Sequence, residues 1–140
     1  MNRTQFLLKL KGILESEQGC TTKTTPKKGE GFVPYNRFNI KWGQVDADDS
    51  KNHIRLVFDL KPGSLYEEMF SQKTGLIITP PGKISTGYRF TKVKEQGGHD
   101  QLIIFLEDSF ISSQPEQLAE ILTFVKEFVG QSSFKSQASR

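Results

Sequence analysis

Residues 46–61 read DADDSKNHIRLVFDLK, and the second half of that stretch decides the fold. From position 53 to 61 the chain alternates: Ile54, Leu56, Phe58 and Leu60 fall on one side of an extended backbone, and His53, Arg55, Val57, Asp59 and Lys61 on the other. Such a period of two marks a strand with one buried face. Residues 35–45 alternate in the same way, with Phe38, Ile40 and Trp42 opposite Arg37, Asn39 and Lys41. Between the two runs, Asp46, Ala47, Asp48, Asp49 and Ser50 form a turn cluster, so the pair predicts an antiparallel hairpin closed by an acidic loop.

Before the hairpin, residues 4–18 set Phe6, Leu7, Leu10, Ile13 and Leu14 at helical spacing, with Gly19 placed as the stop. Residues 20–31, CTTKTTPKKGEG, follow as a loop in which Pro26 and the glycines oppose regular structure. Beyond the hairpin, Pro62 and Gly63 break the strand. Ser64 and Glu67 then have capping-box spacing for a short helix through Met69 and Phe70 that ends at residues 73–75. A short strand at 76–79, a turn at Pro80, Pro81 and Gly82, a strand at 88–94, a turn at Gly97 and Gly98 and a strand at 101–108 complete the sheet. The last strand is apolar on both faces and is expected to be central. Ser113 and Glu116 have capping-box spacing for a closing helix with Pro115 in its first turn, a stripe of Leu118, Ile121, Leu122, Val125, Phe128 and Val129, and Gly130 as its stop. The order predicts an α+β fold: a mostly antiparallel sheet of about five strands, with N-terminal and C-terminal helices packed on it and one short middle helix. Residues 1–130 are expected to form one domain, and 131–140, QSSFKSQASR, a disordered polar tail or a linker to further domains of a longer protein.

Composition narrows the function. The chain has 140 residues and one cysteine, Cys20, so no internal disulfide is available and a reducing, cytoplasmic setting is expected. No run of 18 uncharged apolar residues exists, which removes a membrane-spanning helix from consideration. The net charge of +3 is small, but it is unevenly spread: residues 1–41 carry eight Lys and Arg against three acids, and 42–72 carry three against six. Residues 73–100 carry five against two, and 101–140 three against five. Two basic blocks brought to one face would attract an anion despite the modest total.

Several chemistries lack their residues. Two histidines and one cysteine do not make a zinc site of the cysteine and histidine kind. PPGKIS places Ile84 where a P-loop needs a hydroxyl after Lys83, and no Gly-x-Ser-x-Gly elbow occurs. One arrangement remains: an aspartate of the 46–49 turn, then Asp59-Leu60-Lys61 about ten residues later at the end of a hydrophobic strand. Two carboxylates on adjacent strands can hold Mg²⁺, and a lysine two residues beyond the second shares its face and can orient a water. The pattern resembles the motif of the PD-(D/E)xK nucleases over residues 4–79. The resemblance implies Asp49 and Asp59 as metal ligands and Lys61 as a catalytic group, with Mg²⁺ as cofactor. The sequence departs from that pattern in having Asp for the commoner Glu at 59 and no proline before the candidate aspartates. The competing reading makes His53, Arg55, Asp59 and Lys61 a solvated strand face whose charges pair across the hairpin.

A second constellation is basic and aromatic. Lys23, Thr24, Lys27 and Lys28 lie in the loop, Tyr35, Arg37 and Lys41 on the next strand, and Lys83, Arg89, Lys92 and Lys94 further on, beside Tyr88. Lysines, arginines and hydroxyls of this kind bind backbone phosphates, and tyrosines stack on bases. Phe38, Trp42, Phe58 and Phe105 fit the buried pattern instead. The expectation is therefore a non-catalytic domain, needing no cofactor, that engages a polyanion, DNA or RNA, through Lys23, Thr24, Lys27, Lys28, Tyr35, Arg37, Lys41 and Arg89. The alternatives are the Mg²⁺-dependent nuclease and a protein-interaction module.

Overall fold

The computed structural model describes residues 1–17, 21–24, 29–64, 67–94 and 98–129. The expected stop at Gly19, the lysines at 27 and 28, and the tail after 129 lie outside the described residues. Helix α1 (Arg3–Gly12) starts in a reciprocal cap: the Gln5 amide N–H donates to the Asn2 side chain, and the Asn2 amide N–H to the Gln5 side chain, both at 2.9 Å. It continues into a wider π-helical turn, Ile13–Glu17, and buries Phe6, Leu7, Leu10 and Leu14.

Among the described residues six antiparallel strands follow: β1 (Thr21–Thr24), β2 (Phe32–Tyr35), β3 (Gly43–Asp46), β4 (His53–Leu60), β5 (Gly87–Val93) and β6 (His99–Glu107). Their order across the sheet is β1-β2-β3-β4-β6-β5. Helix α2 (Glu67–Thr74) lies between β4 and β5 in the chain, and α3 (Asp108–Ser113) and α4 (Pro115–Phe124) follow β6. The α+β arrangement holds, with six strands where about five were expected. A single core joins the apolar stripes of α1, α2 and α4 to one face of the sheet, including Ile54, Leu56, Phe58 and Leu60 of β4 and Leu102, Ile104 and Leu106 of β6. Phe70 of α2 packs edge-on to both Phe124 and Tyr88, with centroids 5.0 and 4.9 Å apart, geometry worth about 0.5–1.5 kcal/mol per pair beyond burial.

The alternation over 35–45 does not form one strand. The chain reverses at residues 36–39: the buried Asn36 side chain accepts from the N–H groups of Phe38 and Ile40 at 2.9 and 3.1 Å, and Asn39 takes the left-handed conformation at φ 61°. Phe38 is consequently 44% exposed instead of buried. Tyr35 bridges Lys41 while Phe32 pairs with Val45, so three residues on the β3 side oppose two on β2. This extra residue is a β-bulge beside Gly43. Trp42 is fully buried, its ring 5.5 Å from that of Phe58. Only glycine fits at 43, where a Cβ would stand 2.4 Å from the Val57 carbonyl oxygen.

Other boundaries differ as well. The 20–31 loop is partly strand, because β1 pairs along its length with β2. Residues 76–79 make no strand, only one parallel bridge between Ile78 and Tyr88. Ser64 donates its hydroxyl to the Lys61 carbonyl oxygen, and Ser113 donates to the Ser109 carbonyl oxygen at the end of α3, so Gln114 precedes α4, without a side-chain cap. Strand β6 is interior, hydrogen-bonded to β4 and β5. Gly75 ends α2 at φ 73°, and a Cβ there would meet the Gln117 amide that donates to the Thr74 carbonyl oxygen.

Arg3 locks the helical layer to the sheet. Its guanidinium donates to both carboxylate oxygens of Asp108 at 3.0 and 2.9 Å, and to the carbonyl oxygens of Asp48 and Lys51 at 3.0 and 2.6 Å. The fork geometry of arginine allows this four-way attachment.

Candidate functional site

The face of the sheet opposite the core is only half-buried, and strand alternation determines what stands on it. Val57 and Asp59 of β4 are of intermediate exposure between buried neighbours, as are Gln101 and Ile103 of β6 and Gln44 and Asp46 of β3. On β2, Val33 and Tyr35 point the same way. Lys23 pairs opposite Val33, and its ammonium lies 4.6 Å from the centroid of the Tyr35 ring. Lys41 bridges Tyr35 through the backbone from the β3 side, so Lys23 and Lys41 stand on either side of Tyr35 across the strands of the open face.

The acids of this face are already engaged. Asp46 accepts two hydrogen bonds from the Arg55 guanidinium at 3.0 and 2.7 Å and one from the Gln44 side chain at 2.6 Å. That is the cross-hairpin pairing expected of a solvated strand face. Asp59 accepts from the Gln101 amide at 3.0 Å and lies 3.3 Å from Nε2 of His99. Among the described residues Lys23, Arg37 and Lys41 have no acidic partner; Lys41 donates only to the Gln44 amide oxygen, at 3.3 Å. The β1–β3 end of the open face therefore carries uncompensated positive charge, at positions exposed to solvent.

The remaining residues of the basic constellation are dispersed. Thr24 pairs opposite the buried Phe32, on the helix side of the sheet, and lines a groove with Leu7 and Leu8 of α1. Arg37 sits in the turn, 5.1 Å from the Phe38 ring. Arg89 stands on β5 at the opposite edge of the sheet, about 24 Å from β1 at the usual strand spacing. Its guanidinium donates to the carbonyl oxygens of Pro80 and Lys83 and stacks over the buried Phe105. Tyr88, expected beside the charges, is 3% exposed in the core. Burial pushes the pKa of its hydroxyl up, and the neighbouring Glu67 carboxylate pushes it the same way.

The nuclease arrangement is not assembled. Asp49 lies in the turn before β4 and Asp59 near the strand's far end, so the six residue steps from His53 to Asp59 alone span about 20 Å. Asp46 faces Arg55, four residues short of Asp59, or about 13 Å away along the strand. One Mg²⁺ ion with ligand distances near 2.1 Å does not bridge either gap. Lys61 is exposed beyond the end of β4.

Two concavities deserve comparison. The larger, about 890 Å³, opens beside α2 and is lined by Glu67, Glu68, Met69, Ser71, Gln72 and Tyr88; its described lining holds two carboxylates and no base, which repels an anion. The smaller, about 300 Å³, lies on the open face between β3, β4 and β6, bordered by Lys41 and Arg55. Gln44 and Gln101 in its walls were not among the sequence candidates, although their place in the alternation of β3 and β6 marks them as outward-facing. No protein-family model, no curated protein and no solved structure matches the chain. Among the described residues no helix is long and apolar enough to cross a membrane.

Proposed function

We propose that this protein is a non-catalytic, cytoplasmic binding domain that engages a polyanion, DNA or RNA, on the open face of its sheet. The observation that carries this reading is the bracket of Lys23 and Lys41 around Tyr35, with no acidic partner for either lysine among the described residues. Two cations supply the phosphate contacts, and the Tyr35 ring beside them, of intermediate exposure, supplies a stacking surface for an unpaired base. Elsewhere on the same face Arg55 is paired with Asp46, and the Arg89 guanidinium is taken up by the carbonyl oxygens of Pro80 and Lys83.

The test is binding of a fluorescently labelled single strand followed over salt concentration. Each cation on a phosphate contributes about 0.7 to the slope of log K against log salt for a single strand. Replacing Lys23 and Lys41 together with alanine should lower that slope by about 1.4 and weaken binding most at low salt. Absence of binding at low salt, or a slope unchanged in the double variant, removes the reading.

A protein-binding role would use another region. Ile77, Ile78 and Ile84 are 71, 56 and 54% exposed around the Pro80-Pro81-Gly82 turn, an apolar cluster at the β5 edge. Association that is abolished by Ile77→Ser with Ile84→Ser and is indifferent to Lys23 and Lys41 would favour it.

A further inference from the structure

The groove between β3, β4 and β6 has a chemistry that phosphate binding does not explain. Its floor is Val57 and Ile103, paired directly across β4 and β6 and both half-buried. Arg55 stands at one end of that floor and Asp59 and Gln101, paired across β4 and β6, at the other, with Lys41 on the β3 flank next to Trp42, whose carbonyl oxygen accepts from the Asp59 N–H. A carboxylate at the wall repels phosphate, so a purely anionic ligand does not fit here. Asp59 is also held in one orientation: Oδ1 accepts from Gln101 Nε2 at 3.0 Å and faces His99 Nε2 at 3.3 Å. Its Oδ2 and the Gln101 amide oxygen have no partner among the described residues and form adjacent acceptors. At the other end, Arg55 spends Nε and Nη2 on Asp46 and keeps Nη1, while Lys41 on the flank keeps two of the three protons of its ammonium.

An apolar floor with acceptors at one end and donors at the other end and on the flank matches the edge of a nucleobase. The ring lies on Val57 and Ile103, an exocyclic amino group donates to Asp59 and Gln101, and ring nitrogen or carbonyl acceptors meet Lys41 or Arg55. We propose that the groove seats one unpaired base of a single strand and selects cytosine or adenine over thymine or uracil. Thymine and uracil offer one imide N–H flanked by two carbonyls in place of the two N–H groups of an amino group, so they satisfy only one of the acceptors Asp59 Oδ2 and Gln101 Oε1 and set a carbonyl oxygen against the other, which is the costly half of hydrogen-bond selectivity. In a duplex the same amino groups are paired and the ring faces stacked, so the seat requires a single strand. The inference rests on the polyanion reading and adds to it the strand form and the base class.

The experiment compares labelled oligodeoxycytidine, oligodeoxyadenosine and oligothymidine of about ten nucleotides, long enough for one such face, by fluorescence anisotropy against the whole protein. The first two should bind roughly 5- to 100-fold more tightly than oligothymidine, the range for one good base contact. All three should share one salt slope, because their phosphates are identical. Asp59→Asn should collapse the preference and leave the slope unchanged, and Gln101→Met should reduce the preference as well, which guards against a folding defect in one variant. Equal affinity for the three strands at a common slope overturns the base seat while leaving the polyanion reading intact. Preference for oligothymidine, or tighter binding of a duplex, also overturns the seat. No binding of any strand overturns both readings.

Discussion

Replacing Gly43 by alanine tests the element that places Lys41. The new Cβ would stand 2.4 Å from the Val57 carbonyl oxygen and 3.2 Å from Cγ of Pro34, contacts with neighbours on both sides of β3. The nearer is backbone of the paired strand and does not rotate away, so β3 must retreat from β4. Overpacking of this kind costs about 1–3 kcal/mol. The retreat also strains the hydrogen bond from the Asp59 N–H to the Trp42 carbonyl oxygen, 2.8 Å long, for about 1 kcal/mol more. A loss of about 2–4 kcal/mol translates into a fall in melting temperature of roughly 6–16 °C for a domain of this size. Circular dichroism melts and urea titrations measure it directly. Gly12→Ala is the matched control: no atom stands within 4 Å of its Cβ position, and it lies in α1, so the same substitution should stabilise by up to about 1 kcal/mol. A Gly43→Ala protein within about 0.5 kcal/mol of the parent would refute the close approach of β3 and β4 as the reason for glycine.

Three further outcomes are expected. Arg3→Lys should cost about 1–2 kcal/mol in urea unfolding despite the retained charge, because an ammonium does not reach Asp108, Asp48 and Lys51 together; a neutral result would mean the clamp contributes nothing. Asn36→Ala leaves the N–H groups of Phe38 and Ile40 without their acceptor and should destabilise by about 2 kcal/mol, whereas equal stability would place the turn's strength elsewhere. The raised pKa of Tyr88 means the folded state holds that proton more tightly than the unfolded chain, so its stability contribution is complete below pH 10.0 and declines as pH rises toward the folded value. Tyr88→Phe should flatten this alkaline decline in a stability-against-pH series, and an identical decline in both proteins would assign it to other groups.

The parts of the fold legible in the sequence were those where one periodicity met no interruption. Strand β4 alternates for its full length, and the hydrophobic stripes of α1 and α4 repeat at 3.6 residues, so each is visible without tertiary context. The reversal at 36–39 was hidden because Phe38, Ile40 and Trp42 keep the same alternation through it. The signal was there in another form: asparagine at both 36 and 39, one able to bond nearby N–H groups and the other tolerant of positive φ. Strand β1 was missed because Thr21–Thr24 looks like a polar loop, yet threonine is β-branched, and Lys23 faces away from Thr22 and Thr24 as strand geometry requires. The candidate site suffered from the same gap. Lys23 and Lys41 were recognisable as cations, but their meeting at Tyr35 depends on the β1–β2 register and on the bulge, both tertiary facts. Arg89 illustrates the converse: its charge predicted ligand contact, and its guanidinium holds the loop of Pro80 and Lys83 instead.

The Arg3 clamp bears on how long the native state lasts. Its partners lie 45, 48 and 105 positions along the chain, so the contact cannot close until β4, β6 and the start of α3 are already in place. Contacts of such sequence separation are made late, after their loop-closure entropy has been met by other pairings. A late contact is weak in the folding transition state and complete in the native one. Loosening Arg3 should therefore accelerate unfolding and leave the refolding rate nearly unchanged, a pattern that the two arms of a chevron plot separate. In kinetic terms the first turn of α1 is a latch on the exit from the native state, with little influence on the route into it.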